Sequence, residues 1–155
     1  MRALKTSLVA LGLVCGLLTG AGVTAQEKES NPLQLLMGRN FDIVARMLSD
    51  LVQGRYDSLQ MQAELMVRHA TDLAAAAPDG HGAAERAVFL AYATNLRLAA
   101  SQLLTVSERL AKQGQQPGTP GNLSVDYLRS AAAQHFGNVV TACALCHSQF
   151  RPQLL

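Results

Sequence analysis

Apolar residues recur at intervals of three and four along four segments of this 155-residue chain, and this spacing constrains the fold more than any other feature. A mean period near 3.5 residues places apolar side chains on one face of an α-helix, whereas a half-buried strand would alternate at every second residue. Turn-forming residues separate the four segments at 53–54, 77–80 and 114–121. The pattern therefore predicts an all-α chain, folded as an antiparallel up-down-up-down four-helix bundle.

Capping signals give the expected bounds of the helices. Asn31 is a suitable N-cap with Pro32 at the first helical position, Gly54 ends the first helix, and Ser124 caps the last. The predicted helices cover residues 32–53, about 57–76, about 82–113 and 125–150.

Each predicted helix presents one apolar stripe to the core. The stripe of the first helix comprises Leu33, Leu36, Met37, Phe41, Val44, Leu48 and Leu51. The stripes of the other three helices lie within 56–73, 89–110 and 128–150. Ile43, Met47 and Leu65 fall outside these stripes and are expected to face outward, where they would suit a homodimer contact. Monomer and homodimer stay equally open, because scattered exposed apolar residues are normal on monomers.

Residues 1–25 have the organisation of a secretory signal peptide. Arg2 and Lys5 form a positive start, residues 8–18 are apolar, and small residues at 23–25 precede an expected cleavage before Gln26. A membrane anchor would need about 20 apolar residues, and this run is shorter. The expected mature chain is a single domain, 26–155, located in a bacterial periplasm and without a membrane span.

The charge of the expected mature domain excludes one class of partner. The chain has 13 basic and 11 acidic residues, and removal of Arg2 and Lys5 with the signal peptide leaves 11 of each. The domain also has no cluster of Lys and Arg, so it lacks the electrostatic footprint that binds phosphates. We therefore expect no nucleic-acid partner.

The pentapeptide at 143–147 has the spacing C-x-x-C-H, the attachment signature of a covalently held c-type haem. Two thiols add across the two vinyl groups of the porphyrin, and the adjacent imidazole binds the iron from one face. On a helix, Cys143, Cys146 and His147 are at i, i+3 and i+4, so the three side chains project from one side. The motif predicts one haem c per chain.

The motif has three alternative interpretations besides haem attachment. A redox dithiol of the thioredoxin type belongs near a βαβ pattern, and no segment of this chain alternates like a strand. A structural zinc site needs four ligands, and the chain has no second cysteine pair. A plain disulfide in a helical protein is the third reading. Export to an oxidising compartment favours haem attachment.

The two ends of the mature chain resemble the class II cytochromes c, the cytochrome c-prime group. The resemblance is carried by the run from Phe136 to Val139 and by the motif with the following Ser148-Gln149-Phe150-Arg151, placed at the C-terminal end. A second segment, Leu36-Met37-Gly38-Arg39-Asn40-Phe41, looks like the distal-side segment of that family. The middle helices match only in length and pattern.

The resemblance implies roles for individual residues. Cys143 and Cys146 would form the thioethers, His147 would be the proximal axial ligand, and Arg151 would lie on the proximal side of the haem. Arg151 has an equally good alternative role, as a cation at the C-terminus of a helix. Gln34 falls at the distal position that holds the sixth ligand in low-spin members, or a blocking apolar residue in five-coordinate ones.

The topology restricts which methionine could occupy the sixth position of the iron. In an up-down bundle the end of the fourth helix is level with the start of the first helix. Met37 lies in this first part of the first helix. Met47 lies about 15 Å further along the axis at 1.5 Å per residue, and Met61 and Met66 begin the second helix at the other end. Met37 is therefore the candidate sixth ligand, with core packing as its alternative role.

Two functions are compatible with these expectations. The first is one-electron transfer between periplasmic redox proteins through the haem iron. The second is binding of nitric oxide or carbon monoxide at a five-coordinate haem. No nucleophile elbow, phosphate loop or zinc-protease motif is present in the sequence, so no enzymatic activity is predicted. The remaining histidines are expected to be exposed or partly packed (His69, His135) or in a loop (His81).

Overall fold

The computed structural model describes residues 32–77, 82–115 and 124–150, and these residues form four α-helices and no strand. The helices are α1 (Pro32–Gln53), α2 (Tyr56–Ala75), α3 (Ala83–Gln115) and α4 (Val125–Phe150). The predicted all-α, four-helix architecture is confirmed. The expected signal peptide and the N-cap at Asn31 lie outside the described residues. No helix in these ranges is both long and apolar enough to cross a bilayer.

Each helix packs against the next along the chain, and α4 returns to α1. A hydrogen bond between Asn40 and His69 and another between Asp50 and Ser58 show that α1 and α2 run antiparallel. The α1–α4 pair makes the fewest contacts of the four neighbouring pairs. The bundle is therefore closed on three sides and loosest between its first and last helices.

A Schellman turn ends α1. Gly54 adopts a φ of 67°, the left-handed region in which a side chain is unfavourable. Its N–H donates to the carbonyl of Leu51, and the next N–H, from Arg55, donates to the carbonyl of Asp50 at 2.9 Å. The predicted end of the first helix at Gly54 is thereby confirmed, and α2 begins after only two residues.

A buried carboxylate fixes this corner. Asp50 is only 3 % exposed. Its Oδ1 accepts hydrogen bonds from Arg55 Nη2 at 2.6 Å and Nε at 2.9 Å, and its Oδ2 accepts one from the Ser58 hydroxyl at 2.7 Å. Both carboxylate oxygens are satisfied, as a buried charge requires.

The core confirms the apolar stripes predicted for the last three helices. In α2 the buried residues are Leu59, Ala63, Met66, Ala70 and Leu73, and in α4 they include Leu128, Ala132, Val139 and Phe150. In α3, Phe89, Leu96, Ala99, Leu103 and Leu110 are buried. The N-cap predicted at Ser124 is also confirmed, since its hydroxyl accepts a hydrogen bond from the N–H of Tyr127 at 3.2 Å.

The orientation predicted for α1 is wrong in part. Phe41 and Leu48, expected in the core, are 71 % and 49 % exposed, whereas Ile43 and Met47, expected to face outward, are buried. The helix turns this face inward because it also carries Asn40 and Asp50, whose polar groups pair with α2 and the turn before it. Ile43 and Met47 therefore cannot contribute to a homodimer contact.

Candidate functional site

A cleft opens at the end of the bundle where α1 begins and α4 ends. All four helices contribute to it, and most of its lining side chains are apolar. We call it the α1–α4 cleft, and its lining residues are Met37, Asn40, Phe41, Val44, Leu73, Tyr92, Leu96, Ala142, Cys143, Cys146 and His147.

The α4 wall of this cleft carries the C-x-x-C-H motif. Cys143 is half-buried, Cys146 is buried, and His147 is exposed at the rim. All three side chains line the cleft because they are spaced three and four residues apart on continuous α-helix. The structure thus brings two free thiols and one accessible imidazole together at the edge of an apolar cavity.

An aromatic cluster holds the last turn of α4 in place. The ring of Phe150 meets Phe89 edge-to-face, with ring centroids 5.3 Å apart, and meets Tyr92 in the same manner at 6.2 Å. Both partners lie in the first turns of α3. Because Phe150 follows His147 by less than one turn, this packing fixes the direction of the motif. Tyr92 also lines the cleft.

The α1 wall contains one methionine. Met37 is half-buried and lines the cleft. Of the other three methionines in the described ranges, Met47 and Met66 are fully buried in the core and Met61 is 61 % exposed outside the cleft. The thioether expected at the level of His147 is therefore present in the same cavity.

The α1 wall also contains a buried amide that sequence reasoning missed. Asn40 is 6 % exposed and lines the cleft. Its Oδ1 lies 3.0 Å from Nδ1 of His69, which is half-buried on α2. A pattern of apolar residues does not predict that an asparagine is buried. The contact between Asn40 on α1 and His69 on α2 also has no local signal in the sequence. His69 is partly packed, as expected. Its contact with Asn40 was not predicted from the sequence.

The environment of the two thiols opposes a redox dithiol. Burial, with a smaller contribution from Cys146, raises the pKa of Cys143 to about 11. Burial also raises the pKa of Cys146. Reactive thiols of redox proteins have lowered pKa values, because the thiolate is the nucleophile. Both thiols are therefore neutral at physiological pH.

The donor set around the motif is also unsuited to a bare metal ion. Across the described parts of the chain, no group of three or more His, Cys, Asp or Glu side chains converges on one point. A structural zinc site needs four such ligands. Of these side chains, His147 offers one imidazole nitrogen to the cleft.

Four further residues predicted from the sequence do not form part of the described lining of the cleft. Arg151 and His81 lie outside the described residues, and Gln34 is described only as part of the α1 backbone. His135 is half-buried on α4 and does not line the cleft, and its Nδ1 is buried without a hydrogen-bond partner in the described ranges.

Comparisons with protein-family models, with curated proteins and with solved structures gave no match.

Proposed function

We propose that this chain holds one haem c in the α1–α4 cleft and serves as a one-electron carrier of the class II cytochrome c type. The observation that carries the proposal is the joint position of Cys143, Cys146 and His147 on the wall of a largely apolar cleft. Two thiols and an imidazole at this spacing match the chemistry of covalent porphyrin attachment. Such a cleft also supplies the dry surroundings that an iron porphyrin needs.

In this proposal Cys143 and Cys146 form the two thioethers, and His147 supplies the proximal nitrogen. Met37 is the candidate donor from α1, and the family resemblance implies that Gln34 would lie on the distal side of the haem and Arg151 on the proximal side. When bound, haem c supplies an iron that cycles between the ferrous and ferric states. The side chains of the cleft fit this group, because they offer two attachment sulfurs, one imidazole and one thioether in one cavity.

The chain itself contributes orientation and exclusion of water. Leu73 and Leu96 close the bottom of the cleft from α2 and α3. The packing of Phe150 against α3 keeps His147 directed toward the cavity. A low-dielectric lining of this kind tunes a reduction potential, and the open rim at His147 gives a route for electrons.

The proposed location is the bacterial periplasm, reached through the signal peptide expected at residues 1–25. Other redox proteins are the proposed partners, since a carrier of this kind has no substrate of its own. We propose no enzymatic activity.

A second candidate function is the binding of nitric oxide or carbon monoxide. It is favoured by the composition of the α1 wall, where Phe41 and Val44 flank the cleft beside Met37 and offer no strong iron ligand. If Met37 only packs, the sixth position would be open to a small gas.

The test is production of the full chain in a bacterium equipped for cytochrome c maturation, followed by mass analysis of the periplasmic protein. We expect the mass of residues 26–155 plus one haem, and loss of the haem in the Cys143→Ala/Cys146→Ala variant. Bare polypeptide in both preparations would overturn the proposal. Oxidised and reduced optical spectra with and without carbon monoxide separate the candidates, because a carrier with a filled sixth position would be insensitive to the gas.

A further inference from the structure

One face of α1 is apolar and yet exposed. Phe41 is 71 %, Leu48 is 49 % and Val52 is 77 % exposed. These residues are spaced seven and four apart, so their side chains project from one side of the helix. The half-buried Val44 and Leu51 complete an alternation of three and four residues along the same side. This is the spacing of a helix face that packs against another helix.

The exposed face continues from α1 onto α4 across the loosest seam of the bundle. Val140 is 40 % exposed and lies seven residues before His147, so both side chains project from the same side of α4. Because His147 and Phe41 line one cleft, this side of α4 is next to the exposed face of α1. We call Phe41, Leu48, Val52 and Val140 the seam patch.

The seam patch is free of charge. No Asp, Glu, Lys or Arg occurs between residues 130 and 150 of α4. The charged residues of α1 are Arg39, Asp42, Arg46 and Asp50. None of them is three, four or seven residues from Phe41 or Leu48, so they project from other sides of the helix. An uncharged apolar face can meet an identical face without like-charge repulsion and without burying an unpaired ion.

The size of the seam patch suits a weak dimer. Its four exposed fractions correspond to roughly 400 Å² of apolar surface, a size at which the largest patch of a monomer is often functional. A twofold contact buries the same patch on both partners, which gives roughly 800 Å² in total. With a polar rim added, the contact reaches about 1,200 Å², the lower limit of specific protein interfaces.

We propose that the seam patch is the docking surface for a second copy of this chain, which packs α1 against α1 about a twofold axis. The axis sets identical residues on both sides, so each patch covers the other. The contact does not depend on haem, since Leu48 and Val52 lie outside the α1–α4 cleft. Because Phe41 belongs to both the patch and the cleft, the second copy would lie beside the rim of the cleft.

The test is the molar mass of the purified protein by sedimentation velocity, measured from about 1 µM to about 500 µM, the range in which an interface of this size associates. We expect the mean mass to rise from monomer toward dimer. Val52→Glu and, separately, Leu48→Glu place a charge in the contact and should weaken association about tenfold or more. Met61→Glu is the matched control, since it adds the same charge at an exposed apolar residue of α2.

Three results would overturn the inference. The first is a monomer at every concentration, and the second is a dimer that neither Val52→Glu nor Leu48→Glu weakens. The third is equal weakening by Met61→Glu, which would reflect added charge rather than a contact at the patch. Urea denaturation of Val52→Glu should match that of the parent protein at low concentration, because the side chain is exposed in the monomer. The proposed function is tested apart from this, by the mass of the attached haem.

Discussion

Met37 on α1 and His147 on α4 line the same cleft, although they lie near opposite ends of the described chain. The antiparallel bundle brings them together, because the end of its fourth helix returns to the level at which the first begins. α1 and α4 also form the loosest contact between neighbouring helices. A flat cofactor attached to α4 would therefore face α1 across the weakest seam of the fold.

This relationship predicts the effect of Met37→Ala. If the haem-loaded protein is low-spin, loss of this thioether should convert it to a high-spin form that binds carbon monoxide, because Met37 is the one described methionine in the cleft. Optical spectra of both oxidation states measure the change. Met61→Ala is the control, since Met61 is 61 % exposed outside the cleft. A low-spin spectrum that survives Met37→Ala would exclude Met37 as the ligand.

The helices could be predicted from the sequence because their signals are local. Gly54, with its left-handed backbone, ends α1, and the Ser124 hydroxyl caps the start of α4. Each makes its hydrogen bonds within one turn of the helix end that it defines. The stripe of α2 is equally local, since one helical period places Leu59, Met66 and Leu73 on the same face. The spacing of the C-x-x-C-H motif likewise needs only one turn of helix.

The rotation of α1 could not be predicted in this way. Its sequence offers two apolar faces, and periodicity favours the one that contains Phe41 and Leu48. The structure buries the other face, with Ile43 and Met47, because Asn40 and Asp50 on that face find polar partners beyond α1. Such pairings depend on tertiary contact, which an apolar pattern does not record. For the same reason, the apolar pattern did not predict that Asn40 lines the cleft.

Gly54→Ala should destabilise the fold through the backbone alone. An added Cβ at Gly54 would lie 3.8 Å from the nearest atom of Tyr56, an ordinary contact, but the φ of 67° is unfavourable for any side chain. We expect a loss of about 1–2 kcal/mol in the free energy of unfolding, measured by urea denaturation. Gly137→Ala is the control, because it lies within α4 with open space around it and should stabilise by about 0.5–1 kcal/mol. Similar effects of the two substitutions would contradict the assigned turn.

Asp50→Ala should lower the free energy of unfolding far more than the loss of a surface ion pair does, because Asp50 is buried at the corner between α1 and α2. The substitution leaves Ser58 and the half-exposed Arg55 without their shared carboxylate, so we expect a loss of about 2–3 kcal/mol. The matched control is Glu64→Ala, which breaks an exposed pair with Arg68 and should change stability by at most about 0.5 kcal/mol. Urea denaturation midpoints at neutral pH measure both. Equal losses would show that burial of Asp50 adds nothing to the pair.

The raised pKa of Cys143 predicts how its thiol reacts when no porphyrin is attached. In a Cys146→Ala variant prepared without haem, burial remains as the larger cause of the shift. A folded state that raises the pKa favours the neutral thiol, so the thiolate fraction near pH 8 falls and alkylation slows. The alkylation rate of the native protein should keep rising above pH 9, while that of the urea-denatured chain should level off near the usual thiol value of 9.0. Identical pH profiles in the two states would show that the Cys143 thiol is not buried in the native chain without haem, and would contradict the burial that raises its pKa.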